Sequence, residues 1–218
     1  MFPIRDLQRL PGTALVTVLL LLANAFVFYL ELTSNDIERL ILEYSLVPAN
    51  FSLGNPESWL DLITYQFLHG GWFHFLSNMW FLAVFGPNVE KAWGSMKFLI
   101  YYLLSGIAAA FLQLLFITES APMLGASGAI AGVLGAYFFY FPHHRIQSLI
   151  LLGIFPLFLA VPAGIMLLYW FGLQLAGGFL ATEPGIAFFA HIGGFFAGII
   201  LAAATHPVKA VKGHVANL

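Results

Sequence analysis

Long apolar runs separated by short polar segments dominate the pattern of this chain, and runs of such length predict membrane-spanning helices. Six spans are predicted, at residues 13–31, 67–86, 97–117, 127–141, 161–179 and 188–205. The predicted fold class is therefore all-α, a polytopic membrane bundle of six transmembrane helices. The segment 146–160 is apolar too, but Pro156 and Pro162 interrupt it and neither half is long enough to span. We expect that segment to be interfacial or re-entrant.

Charged residues predict the orientation of the bundle. With six spans, one side of the membrane carries seven of the eight basic residues, which are Arg5, Arg9, Lys91, Lys97, Arg145, Lys209 and Lys212. The other side carries eight of the ten acidic residues, which are Glu31, Asp36, Glu38, Glu43, Glu57, Asp61, Glu119 and Glu183. The positive-inside rule therefore places both termini in the cytoplasm.

Composition agrees with one membrane domain, because the 218 residues are 61% hydrophobic and only 8% charged. We expect a single domain over residues 1–218, with short cytoplasmic tails at 1–12 and 206–218. The net charge of -2 indicates no affinity for nucleic acid. The chain has no cysteine, which excludes disulfides and thiolate metal sites.

Several polar side chains are predicted to meet at one depth in the membrane. Ser127 opens span four and His191 lies near the start of span six, each about 15 residues, or roughly 22 Å, before the far end of its helix. On span two, His74 and Asn78 are four residues apart and share one helix face. Small residues on spans four and six favour close packing of these two helices, namely Gly128, Gly132, Gly135, Ala136, Gly194 and Gly198.

Each of these polar residues also has a structural explanation. A lone serine in a glycine-rich membrane helix usually serves packing, and a lone histidine or asparagine often bridges two helices. The coincidence of depth on three helices favours a functional site instead. A nucleophile and a base held together inside a membrane indicate hydrolysis there.

Four motifs surround these residues or lie between them: Gly125-Ala126-Ser127-Gly128, His74-Phe75-Leu76-Ser77-Asn78, Gly86-Pro87-Asn88-Val89-Glu90 and Ala190-His191-Ile192-Gly193-Gly194. Together they resemble the signature motifs of the rhomboid intramembrane serine proteases. They occur in the order found in that family, and the resemblance covers about residues 10–205.

The resemblance implies that Ser127 is the nucleophile and His191 the general base. It also implies that His74, Asn78 and the Ser127 backbone N–H form the oxyanion hole. Because the spans offer no acidic residue to orient His191, a catalytic dyad is expected. The implied substrate is a transmembrane segment of another membrane protein, cut near its outer end within the lipid bilayer, without a metal or cofactor.

Two other functions are compatible with parts of this pattern. A catalytically inactive rhomboid-like protein would bind or escort transmembrane clients, but both dyad residues are present. A histidine-based proton or metal transporter needs polar groups across the whole bilayer, whereas here they cluster in the outer half. Charge asymmetry and the minimal six-span length favour a multi-pass protein of a bacterial cytoplasmic membrane, with an organellar membrane as the alternative.

Lesser features carry expectations of their own. Ala131 stands where some members of the family have a tyrosine against the catalytic histidine, so we expect a rearranged wall there. His69 is expected to stabilise the outer end of span two, and Glu90 to order a turn after that span. His143-His144 are two adjacent residues, too few for a structural metal site, and a solvated loop is expected there.

Overall fold

The computed structural model describes residues 1–116, 121–153, 155–180, 186–205 and 207–208. This part of the chain forms eight α-helices, which are α1 (Leu15–Thr33), α2 (Ile37–Tyr44), α3 (Pro56–Thr64), α4 (Trp72–Trp93), α5 (Ser95–Phe116), α6 (Ser127–Tyr140), α7 (Ala163–Leu180) and α8 (Phe188–Ala203). It also forms three strands, which are β1 (Phe2–Asp6), β2 (Arg145–Leu152) and β3 (Phe155–Pro162). The predicted helical membrane bundle is confirmed, whereas the strands were not predicted.

Each of the six predicted spans coincides with a helix. Helices α1, α5 and α7 are long and apolar enough to cross a membrane. Helices α6 and α8 are apolar but shorter, with 14 and 16 residues. The number of helices that cross the bilayer stays a prediction. Four of the charged residues used to orient the bundle lie outside the described residues, namely Glu119, Glu183, Lys209 and Lys212.

Helix α4 is longer than the sequence indicated. It continues to Trp93, so the motif Gly86–Glu90 lies inside the helix, and the expected turn between spans two and three was wrong at that point. A proline inside a helix normally leaves the carbonyl four residues earlier without its N–H partner. Here the Arg9 guanidinium donates to that oxygen, the Ala83 carbonyl, at 2.8 Å. The hydrogen bond lost at Pro87 is thereby replaced.

Glu90 organises helix ends instead of a turn. Its buried carboxylate accepts hydrogen bonds from the backbone N–H groups of Val16 at 3.0 Å and Thr17 at 2.7 Å. The first N–H groups of a helix lack partners within the helix, and a negative charge there is stabilised by the helix dipole. The hydroxyl of Ser95, the first residue of α5, donates to the same carboxylate at 2.7 Å. Glu90 therefore joins the starts of α1 and α5 to the end of α4.

The apolar segment 146–160 belongs to an antiparallel hairpin. Strands β2 and β3 pair along their full length, and β1 pairs antiparallel with β2, which gives the order β1-β2-β3. Pro156 and Pro162 are compatible with this sheet because β3 is an edge strand, where proline is tolerated. The sheet satisfies the backbone polar groups of a segment that prolines keep from forming a long helix. Its depth relative to the bilayer stays a prediction.

The expectation of a solvated loop at His143-His144 was wrong for His144. That side chain is buried, with Nδ1 3.2 Å from the Tyr137 hydroxyl and 3.6 Å from the Asp6 carboxylate. Burial alone would raise the pKa of Asp6, but hydrogen bonds from His144, Tyr137 and the Gln8 backbone N–H hold it below its usual value. This cluster ties β1 to the C-terminal end of α6.

Helix α6 occupies the centre of the bundle. Its residues from Gly128 to Tyr137 are all buried, and it packs against α8, α5 and α4. Small side chains along its length allow these neighbours to approach closely. The position of Ser127 is therefore fixed by the most enclosed helix of the described structure.

Candidate active site

Ser127 and His191 lie at the starts of two neighbouring helices. Ser127 is the first residue of α6, and His191 lies in the first turn of α8. The two helices run side by side in the same direction, since Gly194 faces Gly128 and Gly198 faces Gly132. The starts of both helices therefore lie at the same end of the bundle.

Glycine is required along this helix pair because the backbones almost touch. A Cβ atom built on Gly194 would lie 2.0 Å from the Gly128 carbonyl oxygen, and one on Gly198 would lie 1.8 Å from the Gly132 oxygen. The predicted packing through small residues is confirmed. It brings His191 Nε2 to 2.8 Å from Ser127 Oγ, which is hydrogen-bond distance.

The other nitrogen of His191 contacts a residue that the sequence analysis did not single out. Gln174 of α7 places its Oε1 atom 2.7 Å from His191 Nδ1. The indole ring of Trp170, one helical turn earlier, lies with its centroid 6.0 Å from the imidazole centroid. The available signal was one polar amide within an apolar helix, but helical pattern alone does not tell which helix it faces.

Asn78 and His74 of α4 line the same cavity as Ser127. Asn78 is buried, and its Nδ2 donor has no hydrogen-bond partner among the described residues. His74 Nδ1 accepts a hydrogen bond from the Gly70 backbone N–H at 3.4 Å, so the proton of the neutral ring is on Nε2. Asn78 Nδ2 and His74 Nε2 are thus two N–H donors that no acceptor among the described residues occupies.

Gly125 brings His74 close to the start of α6. A Cβ atom at Gly125 would lie 2.7 Å from His74 Nε2 and 3.7 Å from Ser127 Oγ. The φ angle of Gly125 is +128°, a value that residues other than glycine rarely adopt. Its backbone N–H donates to the Tyr65 carbonyl at 2.8 Å. The absence of a side chain at Gly125 therefore allows His74 to lie next to the backbone just before Ser127.

All four predicted site residues line one cavity of about 610 Å³, and these are His74, Asn78, Ser127 and His191. The segment before α6 contributes Met123 and Leu124 to its lining. The cavity extends to Phe81 on α4 and to Trp170 on α7. The cavity therefore forms an apolar cleft between α4 and α7, and the four polar residues lie in its wall.

The residues around the dyad also answer two lesser expectations. Ala131 is buried on α6, and its Cβ atom would lie 3.2 Å from a Cβ atom built on Gly194. The aromatic ring near the His191 imidazole is that of Trp170 on α7. His69 is buried before α4, and its backbone N–H donates to the Glu31 carboxylate at 2.9 Å. His69 thereby joins the end of α1 to the segment that precedes His74. In the described ranges, no three His, Cys, Asp or Glu residues are grouped so as to hold a metal ion.

Comparison with known proteins places this arrangement in a family. The rhomboid domain profile matches residues 56–208, which is more than half of the chain. The chain belongs to the rhomboid family. Its rhomboid domain includes α4 to α8 and therefore all four predicted site residues.

Similar curated proteins come from a plant and a yeast. RHOMBOID-like protein 7 of Arabidopsis thaliana is 36% identical over 140 residues, which cover 64% of this chain and 41% of that protein. RHOMBOID-like protein 6, mitochondrial, of the same plant is 28% identical over 87% of this chain and 68% of its own length. Rhomboid protein 1, mitochondrial, of Saccharomyces cerevisiae is 29% identical over 74% of this chain and 45% of its own length.

This rhomboid chain thus spans about two fifths of the first of these relatives and about two thirds of the second. Family membership supports a multi-pass membrane protein. Two of the relatives carry mitochondrial names, so these similarities do not support the expected bacterial cytoplasmic membrane.

Proposed function

We propose that this rhomboid protein is an intramembrane serine endopeptidase that cleaves transmembrane segments of other membrane proteins near their outer end. The observation that carries the proposal is the 2.8 Å contact between Ser127 Oγ and His191 Nε2 at the wall of a cavity between apolar helices. A serine hydroxyl is a weak nucleophile until a neighbouring base accepts its proton. A neutral imidazole at this distance is suited to that role.

In the first step, Ser127 Oγ attacks the carbonyl carbon of the scissile peptide bond while its proton moves to His191 Nε2. The carbonyl π electrons move to the oxygen, which becomes an oxyanion. When the tetrahedral intermediate collapses, the C–N bond breaks, and the leaving nitrogen takes the proton from His191. An acyl-enzyme on Ser127 and a free amine result.

The oxyanion needs hydrogen-bond donors that are already in place. Three groups around Ser127 fit that requirement: the unpartnered Asn78 amide, His74 Nε2–H and the backbone N–H of Ser127. The last stands at the start of α6, where backbone donors lack partners within the helix. A preorganised donor of this kind contributes about 3–4 kcal/mol to transition-state stabilisation.

Water completes the reaction. A water molecule gives a proton to His191 Nε2 as its oxygen attacks the acyl carbon, and the proton then returns to Ser127 Oγ as the ester bond breaks. The cavity carries polar groups at a depth where the surrounding helices are apolar. Such groups are tolerated in a membrane where they line a water-accessible cavity.

The substrate we propose is a transmembrane helix that reaches the dyad through the cleft between α4 and α7. The lining of that cleft includes Phe73, Phe81 and Trp170, which suit an apolar chain. A helix satisfies its own backbone hydrogen bonds, so its peptide bonds become accessible only after local unwinding. We therefore expect cleavage near residues that weaken the helix, on the side of the membrane opposite both termini.

The test is cleavage of a single-span substrate in liposomes by the purified protein. Wild type is compared with Ser127→Ala and His191→Ala, and with the matched controls Ser52→Ala and His143→Ala, both at exposed positions outside the cavity. Product from wild type and from both controls, and none from the two dyad variants, is the expected result. Mass spectrometry of the products identifies the scissile bond.

A serine-reactive fluorophosphonate provides a test that does not depend on the choice of substrate. Labelling is expected at Ser127 in wild type and is expected to be lost in Ser127→Ala. A wild type that folds, binds a transmembrane client and shows neither cleavage nor labelling would refute the protease proposal. That result would favour the client-binding alternative.

A further inference from the structure

We propose that Gln174 is a positioning residue that holds the His191 imidazole in the tautomer able to accept the proton of Ser127. The inference rests on the proposed protease function and adds a third residue to the predicted dyad. Gln174 lies on α7, 17 residues before His191, and the two side chains meet across the α7–α8 interface.

The hydrogen bonds around His191 define the tautomer. Gln174 Oε1 is an acceptor and lies 2.7 Å from His191 Nδ1, so that nitrogen carries the ring proton. The neutral ring then has a free lone pair on Nε2, which lies 2.8 Å from Ser127 Oγ. The opposite tautomer would leave Nε2 unable to accept a proton and would place the Nδ1 lone pair against the amide oxygen.

The orientation of the amide is itself fixed. Gln174 Nε2 donates to the backbone carbonyl of Trp170 at 3.2 Å, one helical turn earlier on α7. This bond turns the amide oxygen toward α8, because the two atoms of the amide group lie on opposite sides. Gln174 is 8% exposed, so little water competes for the acceptor. The side chain is thus set in place before any substrate arrives.

An amide oxygen suits this position better than a carboxylate does. In the Ser-His-Asp triad, a buried aspartate holds the histidine through Nδ1–H. A lone carboxylate within apolar helices carries a large desolvation cost, which a neutral amide avoids. Gln174 supplies the same directional acceptor without placing a charge in the bundle.

The hydrogen bond between Gln174 and His191 also makes the orientation of the imidazole depend on the packing of α7 against α8. Phe171 of α7 stacks on Phe195 of α8 with ring centroids 4.7 Å apart, and Trp170 lies 6.1 Å from the same ring. These aromatic contacts hold α7 against α8, and Trp170 also lines the cavity. The histidine is therefore oriented only while α7 keeps this contact with α8.

The test compares Gln174→Met, Gln174→Glu and the control Leu173→Met in the liposome cleavage assay. Methionine removes the acceptor at similar length, so kcat is expected to fall about tenfold or more. KM is expected to stay near the wild-type value because Gln174 does not line the cavity. Glutamate restores an acceptor oxygen but carries the desolvation cost of a carboxylate, so it is expected to recover part of the lost kcat. Leu173→Met places the same new side chain on an exposed part of α7 and is expected to behave as wild type.

Two kinetic outcomes would overturn the inference while wild type cleaves its substrate. One is an unchanged kcat in Gln174→Met. The other is an equal loss in Gln174→Met and Gln174→Glu, because the effect would then not depend on the acceptor. In contrast, a wild type without cleavage or fluorophosphonate labelling would contradict the protease proposal itself.

Nitrogen-15 NMR of histidine-labelled wild type keeps the inference testable even if a variant fails to fold. The His191 signals, assigned by their loss in His191→Ala, are expected to show a protonated Nδ1 and an unprotonated Nε2. The reverse tautomer would overturn the inference. Since this measurement needs no turnover, its result is independent of whether a cleavable substrate has been found.

Discussion

Replacing Gly194 with alanine tests whether the close packing of α6 against α8 sets the geometry of the dyad. The added Cβ atom would lie 2.0 Å from the Gly128 carbonyl oxygen and 3.2 Å from the Ala131 Cβ. Ordinary van der Waals contact begins near 3.4 Å, so the helices must separate by about 1.4 Å at this point. The obstacle is a backbone oxygen of a buried helix, which cannot rotate away as a flexible side chain would.

The displacement reaches the dyad because the contact lies next to it. Gly194 follows His191 by three residues, and Gly128 follows Ser127 directly. A shift of that size would take the Ser127–His191 distance from 2.8 Å to beyond 3.5 Å, where a hydrogen bond is no longer made. Misplacement by about 1 Å can lower a rate roughly 100-fold, and that loss of kcat is expected here. Overpacking of this kind also destabilises a fold by about 1–3 kcal/mol.

The assay measures kcat in liposomes together with thermal unfolding in detergent. Gly172→Ala is the matched control, since a Cβ atom there meets no other atom within 4 Å. It is expected to keep the wild-type kcat and melting temperature. A folded Gly194→Ala variant with the wild-type kcat would refute the idea that this glycine contact positions the dyad.

Three further predictions concern other buried polar groups. Asn78→Leu removes the proposed oxyanion donor and is expected to lower kcat about 10²–10³-fold with little change in KM. Steady-state kinetics that show only a higher KM would contradict this. Asp6→Asn is expected to lower the melting temperature at neutral pH. The folded pKa of Asp6 lies below its ordinary 3.8, so its stabilisation is complete above that pH and is lost as pH falls through the folded value. Melting differences that stay constant between about pH 7 and pH 3 would rule out this role. Glu90→Leu leaves the donors at the start of α1 without their acceptor and is expected to cost about 2–4 kcal/mol in unfolding experiments, whereas the exposed control Glu57→Gln is expected to cost almost nothing.

The parts of the site that the sequence predicted depend on short-range rules. Helix geometry fixes the rise per residue, so Ser127 and His191 were expected at one depth from their positions in parallel spans. The i, i+4 rule placed His74 and Asn78 on one face, and both line the same cavity. Glycine spacing indicated close contact between two helices. These signals are contained within single helices, where sequence distance translates directly into spatial distance.

The parts that the sequence did not predict depend on contacts between distant segments. Pattern alone gave Gln174 no partner, because the rotation of α7 about its axis is set by packing with α8. The helix through Pro87 persists because Arg9, 74 residues before Ala83, supplies the missing hydrogen bond. Strand pairing of β1 with β2 joins residues at least 140 positions apart, such as Asp6 and Ile146. In each case local rules describe one segment correctly but do not identify what it meets.

The distribution of buried groups around α6 and α7 suggests how a substrate reaches a rigid nucleophile. Helix α6 is buried from Gly128 to Tyr137, packs against α8 through glycines, and is joined to β1 by the contact between Tyr137 and Asp6. Helix α7 has many exposed apolar side chains and packs mainly on α8. In the proposed function, a transmembrane substrate would enter through the α4–α7 cleft, where the lining is apolar and α4 and α7 make few contacts. If Gln174 orients His191 as proposed, entry that leaves the α7–α8 interface intact would preserve the 2.7 Å contact between the two side chains, whereas entry that moves α7 away from α8 would break it.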